Sequence, residues 1–145
     1  MTRVDFYVLS QGSDQQRSVF ACRLAEKALR LGHAIYVHTR SAAATARLDG
    51  LMWTYRDGSF LPHMPNADAA STDPAGRTPV LLGHDEAPAD HTDLLINLGA
   101  EVPLFFSRFE RVAEIVSGEN AGRALARDRF RFYRDRGYSL NTHRL

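Results

Sequence analysis

Residues 4–38 have the sequence VDFYVLSQGSDQQRSVFACRLAEKALRLGHAIYVH, and the hydrophobic pattern of this segment indicates the class of fold. Its first part, residues 4–9, is rich in aromatic and β-branched side chains and is followed by the turn-forming residues 10–12, which predicts a β-strand. Its last part, residues 34–38, has the same character and predicts a second strand.

The residues between these two strands predict a long helix. Ser13 and Gln16 have the spacing of a capping box, in which two side chains satisfy the first free amide groups of a helix. Apolar residues then recur at helical spacing up to Gly32, and glycine commonly ends helices. The order strand, helix, strand is typical of an α/β fold.

The next part of the chain continues this alternation. Ser41 can cap a helix that runs to about residue 51. Residues 79–82 and 93–98 are short apolar runs that predict buried strands. The acidic residues 84–91 between these runs are expected to form a hairpin-like or loop connection.

Three further segments complete the predicted fold. Residues 62–79 contain four of the six prolines and predict a long surface loop. A helix is expected over residues 103–118, with a proline in its first turn, and another over residues 119–136, ended by Gly137. Nearly continuous apolar strands that alternate with helices favour a mainly parallel, doubly wound sheet in one domain, residues 1–145.

The composition fits a globular protein of the cytoplasm. The chain has 145 residues, of which 44% are hydrophobic and 24% charged, enough for one substantial core. Cys22 is the single cysteine, so we expect a reducing compartment and place this thiol in the core. The N-terminus is too charged for a signal peptide, and no apolar run approaches the roughly 18 residues of a membrane span. No membrane contact is expected.

Positive charge is concentrated at the C-terminal end of the chain. The formal net charge is only +1, so the molecule as a whole is not expected to attract polyanions. Residues 119–145 hold seven arginines and three acidic residues, whereas residues 1–118 hold 11 basic and 14 acidic residues. Contact with an acidic partner is therefore expected from the C-terminal segment.

Sequence patterns for cofactor, metal and nucleophile chemistry are missing. The turn after the first strand has one glycine and lacks the fingerprint of dinucleotide-binding folds, and the chain has no phosphate-binding loop motif. The six histidines lack the i, i+4 spacing of a helical metal site, and the acidic residues 84–93 suit a solvated loop. Ser59 lacks the glycines of a nucleophile elbow. We expect no cofactor, no metal and no catalytic residue.

The last predicted helix carries four arginines on one side. At about 100° per residue they fall within about 80° of one another around the helix axis. They form the arginine stripe: Arg123, Arg127, Arg131 and Arg134. Phe130 borders this stripe, while Leu125 and Phe132 lie on the opposite side and are expected to anchor the helix to the core.

The arginine stripe suits a negatively charged ligand. Like charges at i, i+4 spacing repel by a few tenths of a kcal/mol, so an anionic partner would stabilise this surface. Guanidinium groups grip carboxylates and phosphates bidentately, and Phe130 offers an apolar contact beside them. An acidic peptide and single-stranded nucleic acid both fit, and a merely solvated helix face is the third interpretation.

Residues 125–142, LARDRFRFYRDRGYSLNT, resemble the C-terminal signature of the chi subunit of bacterial DNA polymerase III. That signature is L-A-R-x-R followed by an aromatic, a basic residue, x-Y-basic, and then G-aromatic-x-L-N-T. The resemblance extends over nearly the whole chain. Further matching positions are Phe6, Tyr7, Leu9, Trp53, Ser59, Phe60, Pro62, His63 and the run DLLINL at 93–98.

The resemblance implies a single Rossmann-like domain without nucleotide chemistry, which acts as a non-enzymatic adaptor in DNA replication. In the family, the acidic C-terminal tail of the single-stranded-DNA-binding protein docks on the basic helix, so contact with DNA is indirect. The matching positions here are Arg123, Arg127, Phe130, Arg131 and Arg134, and Val116 is expected to line the same pocket. Phe130 stands where the family often has tyrosine, and Arg131 where it often has lysine, so charge is kept but a hydroxyl is lost.

The resemblance also implies a second partner, the small psi subunit, which joins chi to the clamp loader. The corresponding surface would include Trp53 and Phe60. Exposed aromatic residues mark interfaces, although a tryptophan after a helix and a phenylalanine beside a proline also serve as core or loop anchors.

Two other functions compete with the adaptor interpretation. A direct single-stranded-DNA-binding module would also use arginine and aromatic groups, but one basic helix and a near-neutral chain offer few phosphate contacts. A small α/β enzyme would need acid, base or nucleophile groups that converge at the strand ends, and the sequence points to none.

Overall fold

The computed structural model describes residues 1–10, 12–58, 61–72, 78–85, 88 and 90–145, with the side chains of all but 70–72. Strands and helices alternate along these residues. In chain order they are β1 (Arg3–Val8), α1 (Asp14–Arg30), β2 (Ile35–His38), α2 (Ala42–Thr54), β3 (His63–Pro65), α3 (Asn66–Thr72), β4 (Val80–Gly83), β5 (Leu94–Asn97), a 3-10 turn (Phe106–Arg108), β6 (Arg111–Val116), α4 (Asn120–Asp135) and β7 (Ser139–Arg144).

The seven strands form one sheet in the order β3-β4-β2-β5-β6-β1-β7. Every strand pair in the described residues is parallel. Strands β3 and β7 therefore form the two edges, and the carboxyl ends of all strands meet at one side of the sheet. The predicted Rossmann-like α/β fold with a mainly parallel sheet is confirmed.

Helices cover both faces of the sheet. Side chains that alternate along the strands separate into two cores, one beneath α1 and α2 and the other beneath α3, the 3-10 turn and α4. On β2, for example, Val37 faces the first core and Tyr36 the second. The connections through α1 and α2 run towards the β3 edge of the sheet, whereas the connection through α4 runs towards the β7 edge. Because parallel crossovers are right-handed, these opposite directions place the helices on opposite faces.

Most predicted elements are confirmed, and local signals account for them. The backbone amide of Ser13 donates to Oε1 of Gln16 at 3.0 Å, as the capping box predicts. Gly32 follows α1 with φ +84°, a left-handed conformation that glycine adopts without strain. Cys22 lies in the first core with no exposed surface, as predicted.

The helix predicted over residues 103–118 is wrong. The segment holds the short 3-10 turn and then β6, which pairs with β1 and β5. Both faces of β6 are buried: Val112 and Val116 pack towards α4, and Ile115 packs towards α1. A strand buried on both faces has a nearly continuous apolar sequence, and such a run can imitate helical spacing.

Two other expectations need correction, and one strand was missed. Residues 62–79 do not form one long loop, because β3 and α3 lie within them. Of the two forms expected for the connection at residues 84–91, the hairpin is excluded and the loop is not, since β4 and β5 both run parallel to β2, on either side of it. Strand β7 was not predicted, because its sequence SLNTHR is polar and the strand is mostly exposed at the sheet edge.

Candidate functional site

Helix α4 presents the arginine stripe, and its ends are those that the sequence predicts. It begins after Glu119 and ends before Gly137, whose φ of +78° reverses the chain into β7. The amide of Gly137 donates to the carbonyl of Arg134 at 3.0 Å, and that of Tyr138 donates to the carbonyl of Tyr133 at 3.2 Å. These contacts satisfy carbonyl groups of the last helical turn.

The inner side of α4 is fixed by a buried polar cluster. Arg129 donates to Oε1 of Glu114 at 2.8 Å, while Tyr133 and Asn97 donate to Oε2 at 2.7 and 2.8 Å. Glu114 has no exposed surface, and its carboxylate accepts all three donors. Burial, and then the negative charge of Glu114, raise the pKa of the Tyr133 hydroxyl. The cluster joins α4 to β5 and β6.

The arginine stripe lies on the outer side of α4. Arg127, Arg131 and Arg134 are exposed, whereas Arg123 is half-buried and donates to the carbonyl of Leu9 at 3.3 Å. Arg131 contacts Asp128, and Arg134 contacts Asp135 at 3.3 Å. Within the described part of the chain, Arg127 has no hydrogen bond or ion pair. Its guanidinium is therefore available to a ligand.

An apolar surface borders the stripe. Phe130 is half-buried and meets Phe6 edge to face, with 5.3 Å between the ring centroids. Val116 belongs to the same apolar core and is almost fully buried, so it can add little surface to a pocket. Phe130 thus offers the larger part of the apolar contact beside Arg127.

Leu125 and Phe132 were expected to anchor α4 to the core, and the structure agrees for one of the two. Phe132 is half-buried and packs on Phe106, with 5.7 Å between ring centroids. Leu125 is not an anchor, because 43% of its surface is exposed. The sheet-facing residues are Ala126, Arg129 and Tyr133, at i, i+3 and i+7. This spacing puts Arg129 on the inner side of α4, but an arginine gives no apolar signal there, so its burial was not predicted.

Trp53 and Phe60 are the two aromatic residues expected at a second interface, and Trp53 is the one that the structure describes. Trp53, near the end of α2, is 53% exposed, and its ring lies on that of His63 at 4.5 Å. His63 is buried and contacts Asp49 at 3.0 Å. Phe60 lies outside the described residues, as does Ser59. Trp53 therefore has a defined position close to the β3 edge of the sheet.

The described residues offer no second kind of chemistry that the sequence had left open, either at a metal site or at the single cysteine. No group of three histidine, cysteine or acidic side chains there is arranged to hold a metal ion. Burial raises the pKa of the Cys22 thiol to about 12, which keeps it protonated at neutral pH. In the same part of the chain, no helix is both long and apolar enough to cross a membrane.

Comparisons with known proteins agree over the length of the chain. The family model described as "DNA polymerase III chi subunit, HolC" matches residues 1–141. The chi subunit of Pseudomonas aeruginosa is 48% identical over 145 residues, which cover 100% of this chain and 98% of that protein. The chi subunit of Haemophilus influenzae is 28% identical over 138 residues, 94% of this chain and 93% of that protein.

A third relative supports the same assignment. The chi subunit of Escherichia coli is 29% identical over 147 residues, which cover 98% of this chain and 97% of that protein. The family model spans nearly the whole chain, and the Pseudomonas relative shares almost half of its residues. This chain therefore belongs to the DNA polymerase III chi subunit family.

Proposed function

We propose that this chain is a non-catalytic adaptor of DNA polymerase III, which binds the acidic C-terminal tail of single-stranded-DNA-binding protein through the arginine stripe. A second surface, around Trp53 and Phe60, would join it to psi and hence to the clamp loader. Membership of the chi family supports an accessory role in DNA polymerase III. The resemblance of α4 to the family signature supports the choice of partner for the stripe.

The observation that carries this proposal is the unpaired guanidinium of Arg127 beside the half-buried ring of Phe130. A peptide that ends in an apolar residue presents a carboxylate and an apolar side chain next to each other. The guanidinium suits the carboxylate through charge-assisted hydrogen bonds, and the phenylalanine ring suits the side chain. The two halves of such a ligand thus have matching groups on one helix.

The other arginines of the stripe suit acidic residues that precede the end of the tail. The side chains of Arg131 and Arg134 remain 54% and 58% exposed in their contacts with neighbouring aspartates. Exposed ion pairs of this kind contribute only about 0–1 kcal/mol, so an incoming carboxylate can replace them. Arg123 is held more firmly by the carbonyl of Leu9 and adds positive charge at the start of the stripe.

The positions of the two surfaces favour simultaneous binding of two partners. Helix α4 packs on the half of the sheet that contains β1, β6 and β7. Trp53 lies close to β3, which is the opposite edge. A connector needs two separate surfaces, and this separation leaves room for both partners on one small domain.

Fluorescence anisotropy tests the tail-binding part of the proposal. The purified chain is titrated against a labelled acidic peptide that ends in Pro-Phe, the same peptide without its last residue, and a labelled oligothymidine. The proposal predicts tight binding of the intact peptide and weak binding of the other two. Binding of the oligonucleotide alone, with a steep dependence on salt, would instead favour a direct single-stranded-DNA-binding module.

A further inference from the structure

A second positively charged site lies at the carboxyl ends of β5 and β6, on the side of α4 away from the arginine stripe. A cavity of about 260 Å³ opens there between the start of α1 and the start of α4. Leu125 and Arg129 line it from α4, and Arg17 lines it from α1. Ligands of open α/β sheets bind at this end of the strands.

Arg17 and Arg129 are the buried charged groups of this cavity, with side chains only 8% and 4% exposed. Arg17 donates to the carbonyls of Ile115 at 2.6 Å and Leu98 at 3.1 Å. Arg129 donates to Glu114 at 2.8 Å and to the carbonyl of Ala100 at 3.1 Å. These bonds use Nε and Nη1 of each side chain.

The second amino group of each guanidinium, Nη2, has no partner within the described residues. Among the described side chains, His38 Nδ1 is the one nitrogen or oxygen that is both fully buried and without a hydrogen-bond partner. The two Nη2 atoms also lack partners, so each of them must have some contact with solvent. Donors in buried side chains nearly always have acceptors. Arg17 and Arg129 line the same cavity, so a ligand bound there could accept hydrogen bonds from these two Nη2 groups in place of water.

The buried charges around the cavity do not balance. Two guanidinium groups, of Arg17 and Arg129, face a single fully buried carboxylate, that of Glu114. Burial, and then the positive charge of Arg129, lower the pKa of Arg17. Asp14 lies 3.4 Å from Arg17 and Glu119 also lines the cavity, but both are exposed and are screened by water. An anion inside the cavity would offset the remaining positive charge.

The start of α4 adds backbone donors. Its N-cap residue Glu119 makes no side-chain capping bond, and Ala121 and Gly122 line the cavity. A Cβ atom on Gly122 would lie 2.4 Å from Oγ of Ser117, so glycine lets this side chain lie close to the first turn of the helix. The first amide groups of a helix lack intrahelical partners and attract phosphate.

We propose that this cavity binds a phosphate group, either free phosphate or the phosphate of a mononucleotide. A tetrahedral oxyanion can accept from two guanidinium groups and from helix amides together. The cavity is smaller than most small-molecule pockets, which span roughly 300–1,000 Å³, so it suits a phosphate group rather than a whole dinucleotide. This site is independent of the tail-binding function.

A nuclear magnetic resonance titration of the full chain tests the site. Phosphate, thymidine monophosphate, acetate and chloride are added at matched ionic strength, and the backbone amides of Ala121 and Gly122 and the side chain of Arg17 are followed. The expected result is saturable shifts at these groups with phosphate and not with chloride. Tighter binding of thymidine monophosphate would identify a nucleotide as the source, and equal binding would identify free phosphate.

Two variants separate this site from the arginine stripe. Leu125→Glu places a tethered carboxylate at the cavity without removing a buried group, and it should weaken phosphate binding by at least about tenfold, a difference of about 1.4 kcal/mol. Leu125→Gln is the neutral control and should bind as the wild type does. Arg17→Gln should abolish the shifts, whereas Arg127→Ala should leave them unchanged.

Several results would overturn the proposal. Shifts that grow linearly with phosphate, or a phosphate affinity that is the same in Leu125→Glu as in the wild type, would show that no such site exists. Tighter binding of acetate than of phosphate would make it a carboxylate site. Loss of phosphate binding in Arg127→Ala would move the anion to the arginine stripe. The affinity for the tail peptide is measured in a separate experiment. Absence of phosphate binding would therefore not contradict the adaptor proposal, and absence of tail binding would not contradict the phosphate site.

Discussion

Arg129 donates to the carboxylate of Glu114 at 2.8 Å, and the two side chains are only 4% and 0% exposed. The same carboxylate also accepts from Tyr133 on α4 and from Asn97 on β5. Directional polar bonds thus add to apolar packing in holding α4. These bonds determine which side of the helix faces the sheet. Arg127 lies two residues before Arg129, on nearly the opposite side of the helix, and therefore faces outwards.

The first prediction concerns this ion pair. Glu114→Gln keeps the shape of the side chain but leaves the charge of Arg129 buried without a counter-charge. Removal of one member of a buried ion pair typically destabilises a protein by about 3–5 kcal/mol, and we expect a loss of that size in urea unfolding. The control Tyr133→Phe removes one hydrogen bond and should destabilise by about 1 kcal/mol. Equal small losses in both variants would contradict a dominant role for the charge pair.

The second prediction concerns Asp5, which joins three strands. Its buried carboxylate accepts from Arg111 on β6 at 2.8 Å and contacts Nε2 of His143 on β7 at 3.1 Å. Burial alone would raise the pKa of Asp5, but the hydrogen bonds and charges of Arg111 and His143 outweigh it and lower the pKa below its ordinary value of 3.8. A lowered folded-state pKa gives stability that is present above pH 3.8 and is lost as the pH falls below it.

Urea unfolding of the wild type and Asp5→Asn between about pH 2 and pH 6 measures this effect. The free energy of unfolding of the wild type should exceed that of the variant at the upper end of the range, and the difference should shrink as the pH falls. A difference that stays constant across the range would show that the charge of Asp5 contributes nothing.

The third prediction concerns Cys22. The thiol is fully buried, and burial raises its pKa to about 12. Because the thiolate is the reactive form, a disulfide reagent at about pH 8 should label the folded protein very slowly. The same reagent in urea should label one thiol per chain at once, which serves as the control. Rapid labelling of the folded protein would show that the first core opens frequently beneath α1.

Local signals explain how much of the fold was predictable. Helix α1 could be placed from Ser13, Gln16 and Gly32, since caps and turns act on their immediate neighbours. The spacing of arginines along α4 likewise placed Arg127 on an outer surface, because helical geometry alone determines which residues share a side. In these elements the tertiary structure agrees with the local preference.

Elements that depend on distant contacts were not predictable in the same way. Strand β6 has a helix-like apolar spacing, and only its position between β1 and β5 makes both of its faces buried. Arg129 looks like one more arginine of a basic helix, and its inward direction follows from Glu114, 15 residues earlier. The polar strand β7 exists because the edge of β1 is available to pair with it.

The fourth prediction tests the surface proposed for psi. Trp53→Ala removes a ring that is about half exposed, so the chain should stay folded while its capture of psi falls strongly. Leu104→Ala, at a residue that is 91% exposed, is the control for loss of an exposed apolar side chain and should capture psi normally. Co-purification of tagged psi with each variant measures the effect, and equal capture by all three proteins would exclude Trp53 from the interface.

The fifth prediction tests the arginine stripe at its unpaired residue. Arg127→Ala removes a guanidinium that has no partner in the described part of the chain, so folding stability should change little. Affinity for the acidic tail peptide should fall by about 1–3 kcal/mol, the usual value for a hydrogen bond to a charged group. Isothermal titration calorimetry measures the change directly.

Arg23→Ala provides the matched control, because Arg23 is an exposed arginine on α1, across the sheet from α4. Both variants lower the net charge by one, so a purely long-range electrostatic attraction would weaken peptide binding equally in the two. Weakening in Arg127→Ala alone would place the carboxylate contact on α4. Unchanged affinity in Arg127→Ala would remove this residue from the site and, with it, the main support for binding of the tail at the stripe.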